Sequence, residues 1–249
     1  MGYSIRAANL QKRSVGQVQD LGGFVYYDFQ QKADGGFDLD ATSKMPGWLL
    51  AGLGRDFFHA VVKVDLPYPV FSRHFGTEDN SSSRLEFLVN FPKVTWLNLG
   101  FDQATDADME YASKLKKLKF LAVLIGQGVT DTGAGKLERL NQLQHLMLFQ
   151  SQITDKSLEV FSRMPRITHL HAPQGRFSDA GVGRLASLKG LVLLTVCGTK
   201  DQANEVTGES LQFLLERPTF HSLNVKFTNV SQDFENRLKA RFPHCYVAR

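Results

Sequence analysis

Apolar residues recur along this chain at fixed offsets from a polar triplet. In "QSQITDKSLEVF" (150–161) the triplet is Ile-Thr-Asp, and related stretches are "QATD" (103–106), "GVTD" (128–131) and "RFSD" (176–179). The markers Asp106, Asp131, Asp155 and Asp179 lie 25, 24 and 24 residues apart. Two degenerate copies follow: "EVTG" places Gly208 at the marker after an insertion of about five residues around "GTKDQ", and "NVSQ" places Gln232 there, another 24 on. After Asp155 come Leu158, Phe161, Met164, Ile167, Leu170 and Ala172; after Asp179 come Val182, Leu185, Leu188, Leu191, Leu194 and Val196. Steps of three or four suit a helix and the closing step of two suits a strand. Each unit therefore predicts a helix, a turn and a short strand, and the constant period predicts a solenoid.

The triplet itself has a physical reading. Thr or Ser before Asp is helix N-cap chemistry: a side-chain oxygen accepts from a first-turn N–H, and the carboxylate sits at the positive end of the helix dipole. The recurring Asp residues are thus expected to be structural, not a row of catalytic carboxylates. One register stays open. The 25-residue unit places either Leu121 and Val123 or Ala122 and Leu124 inward, because an extra residue lies between Leu118 and Asp131 and a one-residue slip exchanges the two faces.

Before the repeats, residues 5–21 predict an amphipathic helix with Ile5, Ala8, Val15, Val18 and Leu21 on one side, ended by Gly22-Gly23. "FVYYDF" (24–29) predicts a strand, "PGWLLAGLG" (46–54) a short helix, and "FHAVVKVDL" (58–66) the first rung of the solenoid. The domain reading is an N-terminal capping segment over 1–58, the solenoid over 59–232 and a C-terminal cap over 233–249. A solenoid end exposes apolar surface that a cap covers.

The pattern resembles leucine-rich repeats of the 24-residue kind written LxxLxxLxLxxTxITDxxLxxL. Its best-matching strand cores are "WLNL" (96–99), "HLML" (145–148), "HLHA" (169–172), "LLTV" (193–196) and "SLNV" (222–225). The usual Asn or Cys after the strand is largely absent. The resemblance implies an α/β leucine-rich-repeat solenoid, a right-handed horseshoe with a parallel sheet on the concave face and helices on the convex face. The order "LGGFVYYD … PGWLLAGLGRDFFHAVVKVDL" before TD-type repeats also resembles uncharacterised planctomycete-type bacterial leucine-rich-repeat proteins, many of which carry a membrane anchor upstream of the helix. That second resemblance implies architecture, not activity.

On such a sheet, residues alternating with the buried Leu pairs point outward. They are Trp96 and Asn98; Val123 and Ile125 in one register; His145 and Met147; His169 and His171; Leu193 and Thr195; Ser222 and Asn224. Phe101, Phe149 and Phe227 are placed along the rim. Charges are few, and Trp, Met and aromatic side chains are enriched in the cores of interfaces. The candidate partner-binding set is Trp96, Asn98, Val123, His145, Met147, Phe149, His169, His171, Thr195 and Asn224. Substitutions such as Trp96→Ala or Met147→Asp are expected to leave the fold intact and weaken a partner. His145, His169 and His171 form a less favoured candidate metal or small-ligand cluster, since three imidazoles within reach could bind a zinc-like ion.

Composition narrows the choice. The chain has 249 residues, 43% hydrophobic and 22% charged, with a net charge of +4, as in ordinary globular proteins. The densest basic run, "KLKKLK" (114–119), reads as a solvated helix face, and no nucleic-acid partner is expected. No stretch approaches the ~18 consecutive apolar residues of a membrane span, so the chain reads as soluble, with an upstream anchor left open. Cys197 and Cys245 fall two rungs, about 10 Å, apart, beyond bridging distance, and are expected to be free. No P-loop, HExxH or GxSxG stretch appears. The favoured reading is a monomeric, non-catalytic interaction module without a cofactor. The alternatives are the histidine-based ligand site, or a structural component of a membrane-associated complex that docks through Arg6, Lys12 and Arg13.

Overall fold

The computed structural model describes residues 4–66, 85–100 and 103–248. Helix α1 (Ile5–Asp20) leads into strand β1 (Phe24–Tyr27), the short helices α2 (Gly47–Leu53) and α3 (Arg55–Phe58), and strand β2 (Val61–Leu66). Strands β3 (Trp96–Leu99), β4 (Phe120–Val123), β5 (His145–Leu148), β6 (His169–His171), β7 (Leu193–Thr195), β8 (Ser222–Asn224) and β9 (Tyr246–Ala248) follow. Between them come α4 (Asp106–Ala112), α5 (Asp131–Lys136), α6 (Asp155–Ser162), α7 (Asp179–Arg184) and, before β9, α8 (Gln232–Arg241). The nine strands of the described residues form one sheet in chain order; β1 runs antiparallel to β2 and every later pair is parallel. Strands stack about 4.8 Å apart, whereas packed helices need 8–10 Å, so the strand side is the inside of the curve.

Register follows from the side-chain alternation. Leu97, Leu121, Leu146, Leu170, Leu194 and Leu223 lie side by side and are fully buried. Leu121 precedes its marker by ten residues where Leu97, Leu146 and Leu170 precede theirs by nine, so the extra residue of the long unit sits in the turn after β4. Leu121 and Val123 are therefore the inward pair. Val123 is fully buried and drops out of the candidate binding face; Phe120 and Ala122 stand in the outward positions beside Trp96 and Asn98. The five-residue insertion falls after β7, where Thr199 and Gln202 close a turn and Asn204 anchors it. The Asn204 side chain donates to Val196 O at 3.1 Å and accepts from Phe177 N at 3.0 Å.

The Asp markers do more than the N-cap reading allowed. Thr130 and Thr154 do cap their helices, accepting from Thr132 N at 3.1 Å and Lys156 N at 3.3 Å. Each Asp, however, reaches forward to the next coil. Asp106 accepts from Thr130 N and Oγ1 at 2.8 and 2.7 Å, and Asp131 does the same for Thr154 at 2.8 and 2.7 Å. Asp155 holds Ser178 and Asp179 holds Thr207 in the same way. The triplet is thus a ladder of clamps between coils, and the hydroxyls of Thr130, Thr154 and Thr207 both cap their own helix or first turn and donate to the previous Asp, while Ser178 only donates.

The ladder explains neighbouring residues. Two positions past the marker stand Gly133 and Gly181, where an added Cβ would overlap the carboxylates of Asp106 and Asp155. Ser157 occupies the same position in the intervening coil and donates to Asp131 instead. At the first coil, Asp108 accepts from Thr105 N at 2.8 Å and Thr105 Oγ1 at 3.0 Å, supplying from within the bonds that other coils take from a preceding Asp. At the other end Gly208 stands at the marker because Phe234 of α8 packs where a side chain would go. Phe234 and Leu238 then bury the last coil.

Turns after the strands use Gln150, Gln174 and Phe227 in left-handed backbone at φ 53°, 67° and 56°. These take the place of the missing Asn. At the N-terminus, Ile5 is 70% exposed, contrary to the expected apolar face; Ala8, Gln11, Ser14, Val15 and Val18 are the buried residues of α1. Gln11 is satisfied there by His59 O at 2.7 Å, Asp56 Oδ1 at 3.1 Å and Val61 N at 3.2 Å. The lysines of 114–119 are solvent-exposed, but they lie in the turn after α4, which ends at Ala112, and not on a helix face.

Candidate functional site

The outward row of the sheet carries two columns of side chains. One runs Lys63, Trp96, Phe120, His145, His169, Leu193, Ser222 and Tyr246; the other runs Asp65, Asn98, Ala122, Met147, His171, Thr195 and Asn224. Parallel pairing puts equivalent residues of adjacent rungs side by side, so aromatic residues at equivalent positions stack. Trp96 and Phe120 lie face to face at 3.6 Å between centroids, and His145 and His169 at 4.1 Å; Phe120 and His145 join the two pairs at 5.8 Å.

The first rungs are covered from the N-terminal segment. Phe37 meets Trp96 edge-on at 6.4 Å, and the Lys63 ammonium lies 4.5 to 5.2 Å from the ring centroids of Tyr26, Phe37 and Trp96. Trp96 is consequently held between Phe120 and Phe37 and is half-buried. That changes its expected role: Trp96→Ala removes packing from the fold as well as surface from the face. Asn98 donates to Asp65 Oδ1 at 2.8 Å, while its own Oδ1 is buried with no hydrogen-bond donor among the described residues.

Beyond this lid the trough is open. Phe120, His145, Met147, Phe149, His169 and His171 are all half-buried, whereas Thr195 is buried and spends its hydroxyl on His171 Nδ1 at 3.1 Å. Asn224 remains half-buried and accepts from Lys226 N at 3.2 Å, within its own turn. Phe149 approaches His171 at 6.2 Å and Phe227 is 44% exposed; Phe101 lies outside the described residues.

The histidines are brought together, as their spacing implied, with the rings of His145 and His169 stacked. Ring lone pairs lie in the ring plane, so stacked rings at 20° aim them side by side and not at a common point. Among the described residues no group of three His, Cys, Asp or Glu side chains is placed to hold a metal ion. Burial lowers the pKa of all three imidazoles. His169 falls furthest, to about 4, through burial first and then the neighbouring His145, His171 and His221. At neutral pH the trough is an uncharged surface of ring edges, a thioether and imidazole nitrogens. Cys197 and Cys245 are free thiols with pKa values raised by burial.

Phe120 escaped the sequence reading because the 25-residue unit hid its register. The lid formed by Phe37 carried no periodic signal at all.

No family model and no curated protein matches the sequence. Among solved structures, the chain is similar to an internalin (inlF) from Listeria monocytogenes, with a TM-score of 0.51 and 18% identity over 65% of this chain and 43% of that one. It is also similar to internalin C2 from the same species, with a TM-score of 0.46 and 22% identity over 59% of this chain and 57% of that one. The chain thus spans about half the length of these proteins. No helix among the described residues is long and apolar enough to cross a membrane. The repeating strands, the inward leucine ladder and the likeness to the first internalin together make the fold an α/β leucine-rich-repeat solenoid.

Proposed function

We propose that this chain is a non-catalytic, monomeric interaction module that grips a protein partner in the trough of its strand face. The observation that carries the reading is the open row Phe120, His145, Met147, His169 and His171, apolar or neutral and only half-buried, on a rigid sheet. Such a surface releases water readily and offers ring edges and sulfur, the chemistry enriched in interface cores. In this reading residues 1–58 and 233–249 are caps and residues 59–232 the binding solenoid. The repeat type and the N-terminal order support a place among planctomycete-type bacterial leucine-rich-repeat proteins.

The test is Met147→Asp together with His169→Glu, compared with wild type by capture of partners from source-cell extract. Unchanged thermal unfolding with loss of the captured protein supports the trough. Retention of the same partner at the same affinity by the folded double variant removes it. Trp96 is unsuitable as a probe, because its stacking ties it to the fold.

A further inference from the structure

Helix α2, with sequence GWLLAGL, is built wholly of apolar residues, yet none of them is buried. Trp48 is 74% exposed and Leu53 53%; Leu49 and Leu50 are half-buried, and Met45, just before the helix, is 36% exposed. A two-turn helix this apolar does not persist at a water surface by propensity alone. It also lies far from the trough's open row in sequence and belongs to none of the repeats.

What lies beside it indicates the partner. Leu50 shares a cleft of about 550 Å³ with Lys12 and Arg55, floored by Val15, Gly16 and Tyr27. Among the described residues no carboxylate pairs with Lys12 or Arg55: the guanidinium rests 5.5 Å from the Tyr27 ring, and the one acidic neighbour in the cleft, Asp56, is already bound by Tyr27 Oη at 3.0 Å and Gln11. Lys44, exposed, precedes the helix. Exposed Trp and Leu beside cations without carboxylate partners are the chemistry of a protein lying on an anionic bilayer: Trp settles at the headgroup level, and basic side chains meet lipid phosphate. Seven residues of helix reach roughly 10 Å, a third of the ~30 Å apolar core, so the helix can enter the boundary but not cross it.

We propose that α2 is a peripheral docking element for anionic membranes, with Trp48 and Leu53 entering the headgroup boundary and Lys12 and Arg55 engaging lipid phosphates. It is independent of the trough, and each surface can fail without the other.

The experiment is sedimentation of the full chain with vesicles of phosphatidylglycerol in phosphatidylcholine, against phosphatidylcholine alone, at low and high salt. The expected result is binding to the anionic vesicles only, weakened by salt, with a blue shift of tryptophan emission that Trp48→Ser abolishes. Trp96, the other of the two tryptophans, serves as the internal reference. Trp48→Ser with Leu53→Ser should weaken binding at least tenfold, and Lys12→Gln about fivefold, with unchanged circular dichroism. Failure to bind anionic vesicles, or binding untouched in the folded double variant, overturns the proposal. So does concentration-dependent self-association that Trp48→Ser abolishes, which would assign α2 to a second copy of the chain.

Discussion

Replacing Asp131 with alanine removes one rung of the clamp ladder from the middle of the solenoid. The carboxylate accepts from Thr154 N, Thr154 Oγ1 and Ser157 Oγ, so three donors lose their acceptor. The site is half-buried and partly screened by solvent, which sets each bond at the ordinary net value of about 1 kcal/mol, below the range for bonds to a fully buried charge, and the total near 3 kcal/mol. For a chain of this size that corresponds to a fall in Tm of roughly 6–12 °C. Because coils touch only their neighbours, the loss should appear first as opening between the coils of α5 and α6, with faster hydrogen exchange at Thr154. Urea unfolding of Asp131→Ala beside Asp233→Ala provides the measurement. Asp233 shares the charge and sits at a helix start, but its side chain is 80% exposed and outside the ladder. A difference of less than about 0.5 kcal/mol between the two variants, the ordinary scatter of surface changes, would refute the clamp.

The same clamp predicts a pH dependence. Burial alone would raise the Asp131 carboxyl, but hydrogen bonds from Ser157 and Thr154 outweigh it and hold the pKa below the ordinary value, as those from Ser210 and Thr207 do for Asp179. A depressed carboxyl contributes stability above the unfolded pKa of about 4 and loses it as pH falls toward the folded value; the gap between wild type and Asp131→Asn should close over that window in acid melts. Gly181→Ala should destabilise by about 1–3 kcal/mol, because its Cβ meets Asp155, while Gly183→Ala, with nothing within 4 Å, should stabilise by about 0.5–1 kcal/mol; equal effects in thermal melts would contradict the packing. Asn204→Ala should cost about 2 kcal/mol by leaving Phe177 N and Val196 O without their partner. His169 should titrate near pH 4 by NMR, and since the unfolded chain binds its proton near 6.5, stability should fall as pH drops between those values; a titration at 6.5 would place the ring in open water.

Much of the architecture was written in the period. A 24-residue repeat with inward Leu pairs specifies rung, register and sheet together, because a slip by one would expose the whole leucine ladder. The single ambiguity fell where the period broke: with a step of ten residues from Leu121 to Asp131, Val123 and Ala122 exchange faces on paper, and only pairing with Leu97 and Leu146 separates them. The Asp markers were legible as structural but not as clamps, since a side chain bonded 24 residues ahead looks like one capping its own helix. The small residues Gly133, Ser157, Gly181 and Ser210, all two past the marker, were the available signal. The histidine cluster was legible from spacing; its stacked geometry was not, because ring orientation depends on neighbours such as Thr168, whose hydroxyl meets His169 Nδ1 at 2.9 Å. The lid of Phe37 on Trp96 comes from an aperiodic segment, where long-range contacts leave no local mark.

The most direct test of the binding trough is a photo-crosslinking residue placed at position 147, on the open strand face, and in a second variant at position 163, where Arg163 is exposed at the end of α6 on the convex side. Irradiation in source-cell extract should yield a discrete protein adduct from position 147 and none of that species from 163. The same adduct from both positions, or from 163 alone, would contradict recognition through the trough.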